Sequence, residues 1–455
     1  MQYAPTRDAA LSPDSNDKPP VAYAKVLPER KHEVMLQRYL AVLRRHPEFL
    51  KLWSGQSVSS FGSAITTLAL PLTAVLALKA GPVQMGLLAA MGFLPHLALG
   101  LPAGVWVDRW PRRPILIVTD LGRAILLGSI PLLALLGALR MEYLYAVALL
   151  VGICTLFFDV AATSYVPSLV DRDDLLEANS ASALSSALAA TAGPALAGGL
   201  VQLLTAPVAI AIDAVSYVAS ACCAVLIRAT EAQAPMEQRR RLWSEIAEGL
   251  RVLVEDPILR PIIGASTVGS FGGAMRQAVF VLYLVRGLGF SPTLLGLVFA
   301  ASGAASVLGA LLAGPARDRL GPGRPIVVGT LLWCAGNALI PLAGGPLAIV
   351  VPLVLAAQVL SGVGTPIYSI NQITVRQAIV PYRLLGRVNA SRRFLVFGVI
   401  PLGALLGGAL GQALGLRPAL IIGVAWQALS VLWLLFSPVR LLRELPTPLA
   451  NSATV

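Results

Sequence analysis

The chain has 455 residues, of which 56% are hydrophobic and only 13% are charged, and its mean hydropathy is +0.75. Soluble globular domains carry about 25% charged residues, so this composition excludes an ordinary soluble protein. The net charge of +12 does not call for nucleic acid, because basic residues beside apolar segments also orient a membrane protein and meet anionic lipid.

Residues 1–46 differ in composition from the rest of the chain. They are polar, contain several prolines and lack an apolar period, which is typical of a disordered tail. No short apolar region precedes a small-residue cleavage site, so the first apolar segment is expected to stay in the protein as a span.

Twelve apolar segments follow, each close to or above the roughly 20 residues that a helix needs to cross a bilayer. They are rich in Leu, Ala and Gly and do not alternate, which favours helices over barrel strands. The first six are predicted at 52–78, 84–107, 114–139, 143–167, 179–203 and 207–228. The second six are predicted at 259–285, 292–316, 325–344, 347–371, 389–414 and 417–437.

The distribution of Lys and Arg predicts the orientation. Only Lys79, Arg140, Arg286 and Arg417 fall in the loops on one side, whereas the other side holds most of the basic residues. By the positive-inside rule, both termini are expected in the cytoplasm and the chain in the cytoplasmic (inner) membrane.

The predicted organisation has five parts. A cytoplasmic tail (1–46) precedes a six-helix bundle (47–228), and a linker (229–258) leads to a second bundle (259–438) and a C-terminal tail (439–455). In the linker, Leu242, Ile246, Leu250 and Leu253 recur at helical spacing, which predicts an amphipathic helix on the cytoplasmic surface. We expect this helix to tether the halves rather than to regulate them.

The two bundles repeat each other at an offset of 210 residues. SSFG at 59–62 matches GSFG at 269–272, and Asp108 and Asn179 match Asp318 and Asn389. An even number of helices in each copy inserts both copies in the same sense. The predicted fold is therefore an all-α polytopic membrane protein with twelve transmembrane helices in two parallel six-helix halves.

No motif for a cofactor, a metal or hydrolytic chemistry is present. The four cysteines fall within predicted spans without a CxxC spacing, and neither GxxxxGK[ST], HExxH nor GxSxG occurs. The sequence therefore predicts neither an enzyme nor an ATP-driven pump, and no cofactor or metal is expected.

The repeated loops carry a resemblance to a known superfamily. GVWVDRWPRRP at 104–114 and GPARDRLGPGRP at 314–325 resemble motif A of the major facilitator superfamily. FLKLWSGQSVSSFGS, LVDRDDLLEANSASAL, AIDAVSYVASA and EIAEGLRVLVEDPILRPI resemble the efflux branch that holds bacterial enterobactin exporters and macrolide efflux proteins. Nearly the whole chain beyond residue 46 is covered.

This resemblance implies a cytoplasmic gate that closes while the transporter faces outward. The matching gate residues are Asp108, Arg109 and Arg113 in the first half, and Asp318, Arg319 and Arg324 in the second. The alternative is that these charges only set topology, which needs positive charge but no matched aspartate. Pro111 departs from the motif, because relatives have glycine there and the second copy keeps Gly321.

Charged residues inside spans are costly and need a partner, a cavity or a function. Asp120 and Arg123 lie three residues apart and are expected to form a structural pair, with substrate or proton contact as the alternative. Asp159 and Asp213 have no neighbouring base in the sequence. Asp213 is the favoured proton carrier, with a helix-capping carboxyl as an equal alternative.

In the second half, Arg276 stands alone among small residues, and Asn371 adds hydrogen-bonding capacity. Arg276 is expected to face the central cavity or to pair with an acid of the other half; Asn371 is a candidate for substrate contact or for a bond between helices. Close helix packing is expected at small residues and one proline, namely Gly193, Pro194, Gly198, Gly199, Gly403 and Gly408.

The expected function is secondary active export of a medium-sized, partly apolar compound of the drug, macrolide or siderophore class. Its partners would be this small molecule, protons as the coupling ion and membrane lipids, without nucleic acid. An uptake permease, a lysophospholipid flippase of the same fold and a transport-dead membrane sensor are the alternatives. Export follows from the resemblance rather than from any residue.

Overall fold

The computed structural model describes residues 41–229 and 242–445. Most of the predicted N-terminal tail and of the C-terminal tail lies outside these described residues. Within them, twelve helices are long and apolar enough to cross a membrane. The first six are α1 (Pro47–Leu72), α2 (Pro82–Arg109), α3 (Arg112–Leu135), α4 (Met141–Tyr165), α5 (Leu175–Leu203) and α6 (Ala206–Val225). Helix α7 (Leu242–Glu255) precedes α8 (Leu259–Leu282), α9 (Pro292–Leu320), α10 (Arg324–Leu339), α11 (Leu347–Ile379), α12 (Tyr382–Leu414) and α13 (Leu416–Leu435).

Several predicted boundaries were wrong on one side of the bundle. Helix α5 begins at Leu175 rather than at 179, α12 begins at Tyr382 rather than at 389, and α11 continues to Ile379. Hydropathy detects only the apolar part of a helix, whereas the backbone hydrogen bonds continue into polar turns such as LLEA and RLLG. These polar turns lengthen the helices at the same end of both halves.

Two equivalent bundles account for the contacts between helices. In the first half, α1 packs on α5 and α6, α3 packs on α4 and α6, and α2 packs on α4. The same five contacts recur in the second half as α8 with α12 and α13, α10 with α11 and α13, and α9 with α11. The predicted all-α fold with two six-helix halves is therefore confirmed, and the halves meet mainly through α2 with α12 and α5 with α9.

The two ends of the molecule differ in how the halves meet. We call the end that carries α7 and the α2–α3 loop the linker end, and the other the opposite end. At the opposite end, one apolar core joins both halves and includes Leu68, Leu72, Phe280 and Leu420. At the linker end, each half has its own core, around Phe49 in the first and around Leu259 in the second. The halves are therefore joined at the opposite end and parted at the linker end.

Helix α7 packs against the second half. Glu248 accepts a hydrogen bond from Arg387 of α12 at 2.5 Å, and Leu253 is 1% exposed in the second-half core. A Cβ added to Gly249 would lie 2.5 Å from the Arg387 carbonyl oxygen, so only glycine permits this approach. Leu250 is 36% exposed, so the predicted apolar face was partly wrong, because Gly249 and Leu253 form the packed face instead.

The start of α1 is tied to the start of α5. His46 and Arg45, just before α1, contact the Asp174 carboxylate at 2.8 Å and 2.9 Å. The hydrogen bond from His46, followed by that from Arg45, holds the pKa of Asp174 below its usual range. This connection lies within the first half at the linker end.

Candidate functional site

A cavity of about 1220 Å³ lies between the halves. Most of its wall belongs to the first half, and the second half contributes Gln277, Ala278, Val281, Phe299 and Arg393. Because the halves are parted only at the linker end, the cavity opens there, and Thr163 and Ser164 on the linker-end turn of α4 are exposed. The wall mixes aromatic rings with hydroxyl groups, including Trp53, Phe93, Phe158, Tyr217, Ser57, Ser60, Ser63, Thr67, Thr155, Ser182, Ser185 and Ser186.

A buried ion pair lies behind this wall in the first half. Asp120 and Arg123 of α3 are both buried and are joined by a hydrogen bond from the guanidinium group to the carboxylate. The guanidinium carbon lies 4.2 Å from the ring centres of both Phe158 and Tyr217. These rings and the carboxylate fix the arginine in place, so its charge is balanced within its own half.

Asp213 of α6 is part of the cavity wall and is 0% exposed. Ser216 donates a hydrogen bond to its Oδ1 atom at 3.1 Å, whereas Oδ2 is buried and has no hydrogen-bond partner in the described chain. A Cβ added to Gly62 of α1 would collide with this carboxyl group. Glycine at position 62 therefore allows α1 to lie against Asp213, and a buried carboxylate with too few donors is costly unless a proton neutralises it.

The second half has no equivalent of this charge cluster. At the positions related by the offset of 210 residues, Thr330 replaces Asp120, Trp333 replaces Arg123, and Gly423 replaces Asp213. The two halves share their backbone arrangement, but the charged groups of the core belong to the first half alone.

Two further charged groups line the cavity from opposite walls. Asp159 of α4 is exposed, and within the described chain its carboxylate has no hydrogen bond and no ion-pair partner. Arg393 of α12 is also exposed and lines the same cavity. The sequence analysis did not single out Arg393, because it stands beside other basic residues where α12 leaves the apolar segment.

Arg276 does not belong to the described cavity wall, contrary to expectation. The neighbouring Gln277 lines the cavity, and one residue further along a helix turns a side chain by about 100°. Arg276 lies 5.2 Å from the centre of the Phe280 ring, and two of its nitrogens are buried without a hydrogen-bond partner in the described chain. No acid of the other half pairs with it among the described residues.

Asn371 is also placed away from the cavity. Its side-chain amide is buried and donates hydrogen bonds to the carbonyl oxygens of Ala313 on α9 and Ile367 on α11, at 3.3 Å and 2.8 Å. Of its two predicted alternatives, the structure contains the bond between helices.

The gate residues make few contacts between the halves. Arg113 donates hydrogen bonds to the carbonyl oxygens of Ala224 and Val225, at 3.2 Å and 2.5 Å, at the end of α6 in its own half. Asp318 accepts from the adjacent Arg317 at 3.1 Å. Arg109, Arg319 and Arg324 are exposed and have no hydrogen-bond or ion-pair partner in the described chain; the Asp108 side chain lies outside the described residues. With the linker ends parted, no inter-half contact of these residues is in place.

Glycines form the closest contacts between the halves at the opposite end. A Cβ added to Gly198 of α5 would lie 2.7 Å from the Cα atom of Gly296 on α9, and a Cβ added to Gly408 of α12 would lie 3.0 Å from the Cα atom of Gly86 on α2. The offset of 210 residues relates these two pairs. Backbone thus meets backbone at both crossings, which only glycine permits.

The other predicted packing positions act within one half or not at all. A Cβ on Gly193 would collide with Ala64 of α1, and one on Gly403 would lie 2.5 Å from the Phe271 carbonyl oxygen of α8. Pro194 lines the cavity, and α5 continues through it. Gly199 has no atom within 4 Å of an added Cβ, so no close packing depends on it.

Two parallel six-helix bundles around a central cavity open at one end define a membrane transporter of the major facilitator type. Residues 39–451 match the transmembrane secretion effector family of this superfamily. The chain belongs to that family, and its resemblance to the efflux branch is confirmed.

Proteins similar to the chain are themselves transporters. The multidrug efflux pump Tap of Mycolicibacterium fortuitum is 28% identical over 84% of this chain and 95% of its own. Macrolide efflux protein A of Streptococcus pyogenes is 24% identical, covering 81% and 91% of the two chains, and the enterobactin exporter EntS of Citrobacter koseri is 24% identical, covering 91% and 97%. The chain is accordingly a transporter and not an enzyme.

Solved structures agree on the fold. A bacterial homologue of the iron transporter ferroportin, solved in an inward-facing state, superposes with a TM-score of 0.69 at 18% identity and covers 86% of this chain and 98% of its own. A bacterial homologue of the lysosomal transporter Spinster gives 0.65 at 15% identity and covers 87% and 98%. At these identities the likeness supports the fold alone.

Proposed function

We propose that the protein exports a medium-sized, partly apolar compound across the cytoplasmic membrane by proton-coupled alternating access. The observation that carries this proposal is the arrangement of the two bundles, joined by one core at the opposite end and parted around a cavity at the linker end. Two rigid halves that meet at alternate ends expose a central site to one side at a time.

The linker end is assigned to the cytoplasm. The positive-inside rule supports this assignment, because Arg109, Arg113, Arg319 and Arg324 lie at that end. The cavity then faces the cytoplasm in this conformation, from which an exporter loads its substrate. The named export functions of Tap, macrolide efflux protein A and EntS support this direction.

The cavity wall supports an amphipathic substrate. Its volume of about 1220 Å³ exceeds the roughly 300–1,000 Å³ of common small-molecule sites. Aromatic rings and many hydroxyl groups can contact apolar and polar parts of one ligand without a fixed pattern of charges. Drug-like, macrolide and siderophore compounds all fit this description.

Asp213 is the proposed proton site. It lies in the cavity wall of the half that holds all three core acids, and its Oδ2 atom has no donor. A proton bound at Oδ2 would neutralise the carboxyl group while the cavity closes, and the Asp120 carboxylate remains occupied by Arg123. Substrate leaving to the outside and a proton entering through Asp213 would complete the exchange.

Reconstituted vesicles test this assignment. Asp213→Asn keeps the size of the side chain and removes the proton site. We expect it to abolish transport driven by a pH gradient, measured with a macrolide and with enterobactin as probes. Asp173→Asn, an exposed aspartate at the linker end, is the control and should transport normally. Unchanged rate and pH dependence in Asp213→Asn would remove this residue from the mechanism.

A further inference from the structure

Asp159 and Arg393 are opposite charges on opposite walls of the cavity. Asp159 belongs to α4 of the first half and Arg393 to α12 of the second, and both line the cavity at its linker-end part. Their charges are close enough to interact electrostatically. They do not touch, because the two residues form no ion pair within 4.0 Å in this open conformation.

Neither group has a charged partner inside its own half. Arg123, the other cavity-lining arginine, is paired with Asp120 and fixed between two rings. Asp159 has no ion-pair partner in the described chain, and Arg393 contacts only the Phe397 ring, with its guanidinium carbon 5.9 Å from the ring centre. Water in the open cavity hydrates both charges, and closure of the linker end removes that water. An unpaired charge at membrane depth is costly, so each group then needs the other.

The contacts around α2 place the pair on the side where the walls separate. Helix α12 touches α2 near Phe397, whose ring centre lies 6.2 Å from that of His96. Arg393 lies about one helical turn from Phe397 toward the linker end. On the facing wall, α4 touches α2 at Gly152, where an added Cβ would lie 2.8 Å from the Gly92 carbonyl oxygen. Asp159 lies about two turns beyond Gly152, again toward the linker end.

We propose that Asp159 and Arg393 form an ion pair between the halves that holds the linker end closed when the cavity faces the other side. The inference rests on alternating access in the proposed function. It adds to the motif A loops a second closing contact, deeper in the molecule and built from α4 and α12. Rocking of the second half about its contact with α2 brings the two side chains together.

Disulfide formation tests the closed contact without requiring transport. In a background with Cys154, Cys222, Cys223 and Cys334 changed to Ser, the double variant Asp159→Cys/Arg393→Cys is oxidised and its peptides are analysed by mass spectrometry. A disulfide needs Cα atoms about 4.4–6.8 Å apart, so it records closure of the linker end. The control pairs Asp159→Cys with Arg392→Cys, because Arg392 interacts with Tyr368 inside the second half.

We expect the disulfide in the 159/393 variant and not in the 159/392 control. No disulfide in either variant, or equal amounts in both, would overturn the pairing. Because this readout is independent of substrate and protons, a protein that forms the disulfide but exports nothing would refute the proposed function and leave the pair intact.

Charge exchange tests the same pair during transport. Asp159→Arg and Arg393→Asp alone should each lower transport by about tenfold or more, and the double exchange should recover most of the loss, as coupled residues do. Asp159→Arg/Arg392→Asp should remain as slow as the single variant. If Asp159 instead binds a cationic group of the substrate, the double exchange fails to recover transport, which contradicts the ion pair.

Discussion

Gly198 offers the sharpest perturbation of the contact between the halves. A Cβ at this position would lie 2.6 Å from the carbonyl oxygen of Pro292 and 2.7 Å from the Cα atom of Gly296. Both atoms belong to the backbone of α9, so no side chain can rotate away. Gly198→Leu must therefore separate α5 from α9 at the opposite end.

The cost applies to one conformation only. Overpacking of this kind costs about 1–3 kcal/mol, and the linker-open state pays it because the opposite ends are in contact there. A difference of that size changes the ratio of two conformations by about 5- to 150-fold. The variant should therefore shift toward the state in which the opposite end is open and the linker end is closed.

Labelling of a cysteine at the linker end measures the shift. Ser164 lines the cavity and is exposed, so Ser164→Cys in the cysteine-free background should react with a maleimide while the linker end is open. Gly198→Leu should slow this labelling. Gly199→Leu is the matched control, because nothing lies within 4 Å of an added Cβ at Gly199, and its labelling rate should not change. Equal rates in the two leucine variants would refute the packing argument.

Three other predictions concern single residues of the first half. Asp120→Asn leaves Arg123 buried without its carboxylate and should lower the free energy of unfolding by about 3–5 kcal/mol, which a thermal melt in detergent would detect as a clearly lower Tm. Gly193→Leu collides with Ala64 and should stop transport while expression stays normal, and wild-type transport would exclude close packing there. The lowered pKa of Asp174 means that its stabilising contribution is present above the unfolded pKa of about 3.9 and is lost as pH falls through the lower folded value. The Tm deficit of Asp174→Asn should therefore be present at neutral pH and vanish in acid, and a deficit independent of pH would contradict this linkage.

The fold could be predicted because it is written in long-range patterns. Apolar length sets the number of spans, and the match of Asp108 with Asp318 across 210 residues reveals the duplication. Boundaries at α5 and α12 could not be placed, since hydropathy does not report polar helical turns. The packed face of α7 was also missed, because a buried Gly249 contributes no apolar signal.

The site was harder to predict, because it depends on which way each side chain points. Asp120 and Arg123 lie one helical turn apart, so their pairing was visible in the sequence. The facing of Arg276 was not, since a shift of one residue exchanges it with Gln277 at the cavity wall. Arg393 was overlooked because its significance arises only from the position of α4 in the other half.

Accumulation of compounds in cells tests the central claim most directly. A panel that includes a macrolide and enterobactin is measured in cells with and without the gene, each with and without a protonophore. Proton-coupled export predicts lower accumulation in cells that express the protein, and it predicts that the protonophore removes the difference. Higher accumulation in the expressing cells would show uptake, and it would contradict the account.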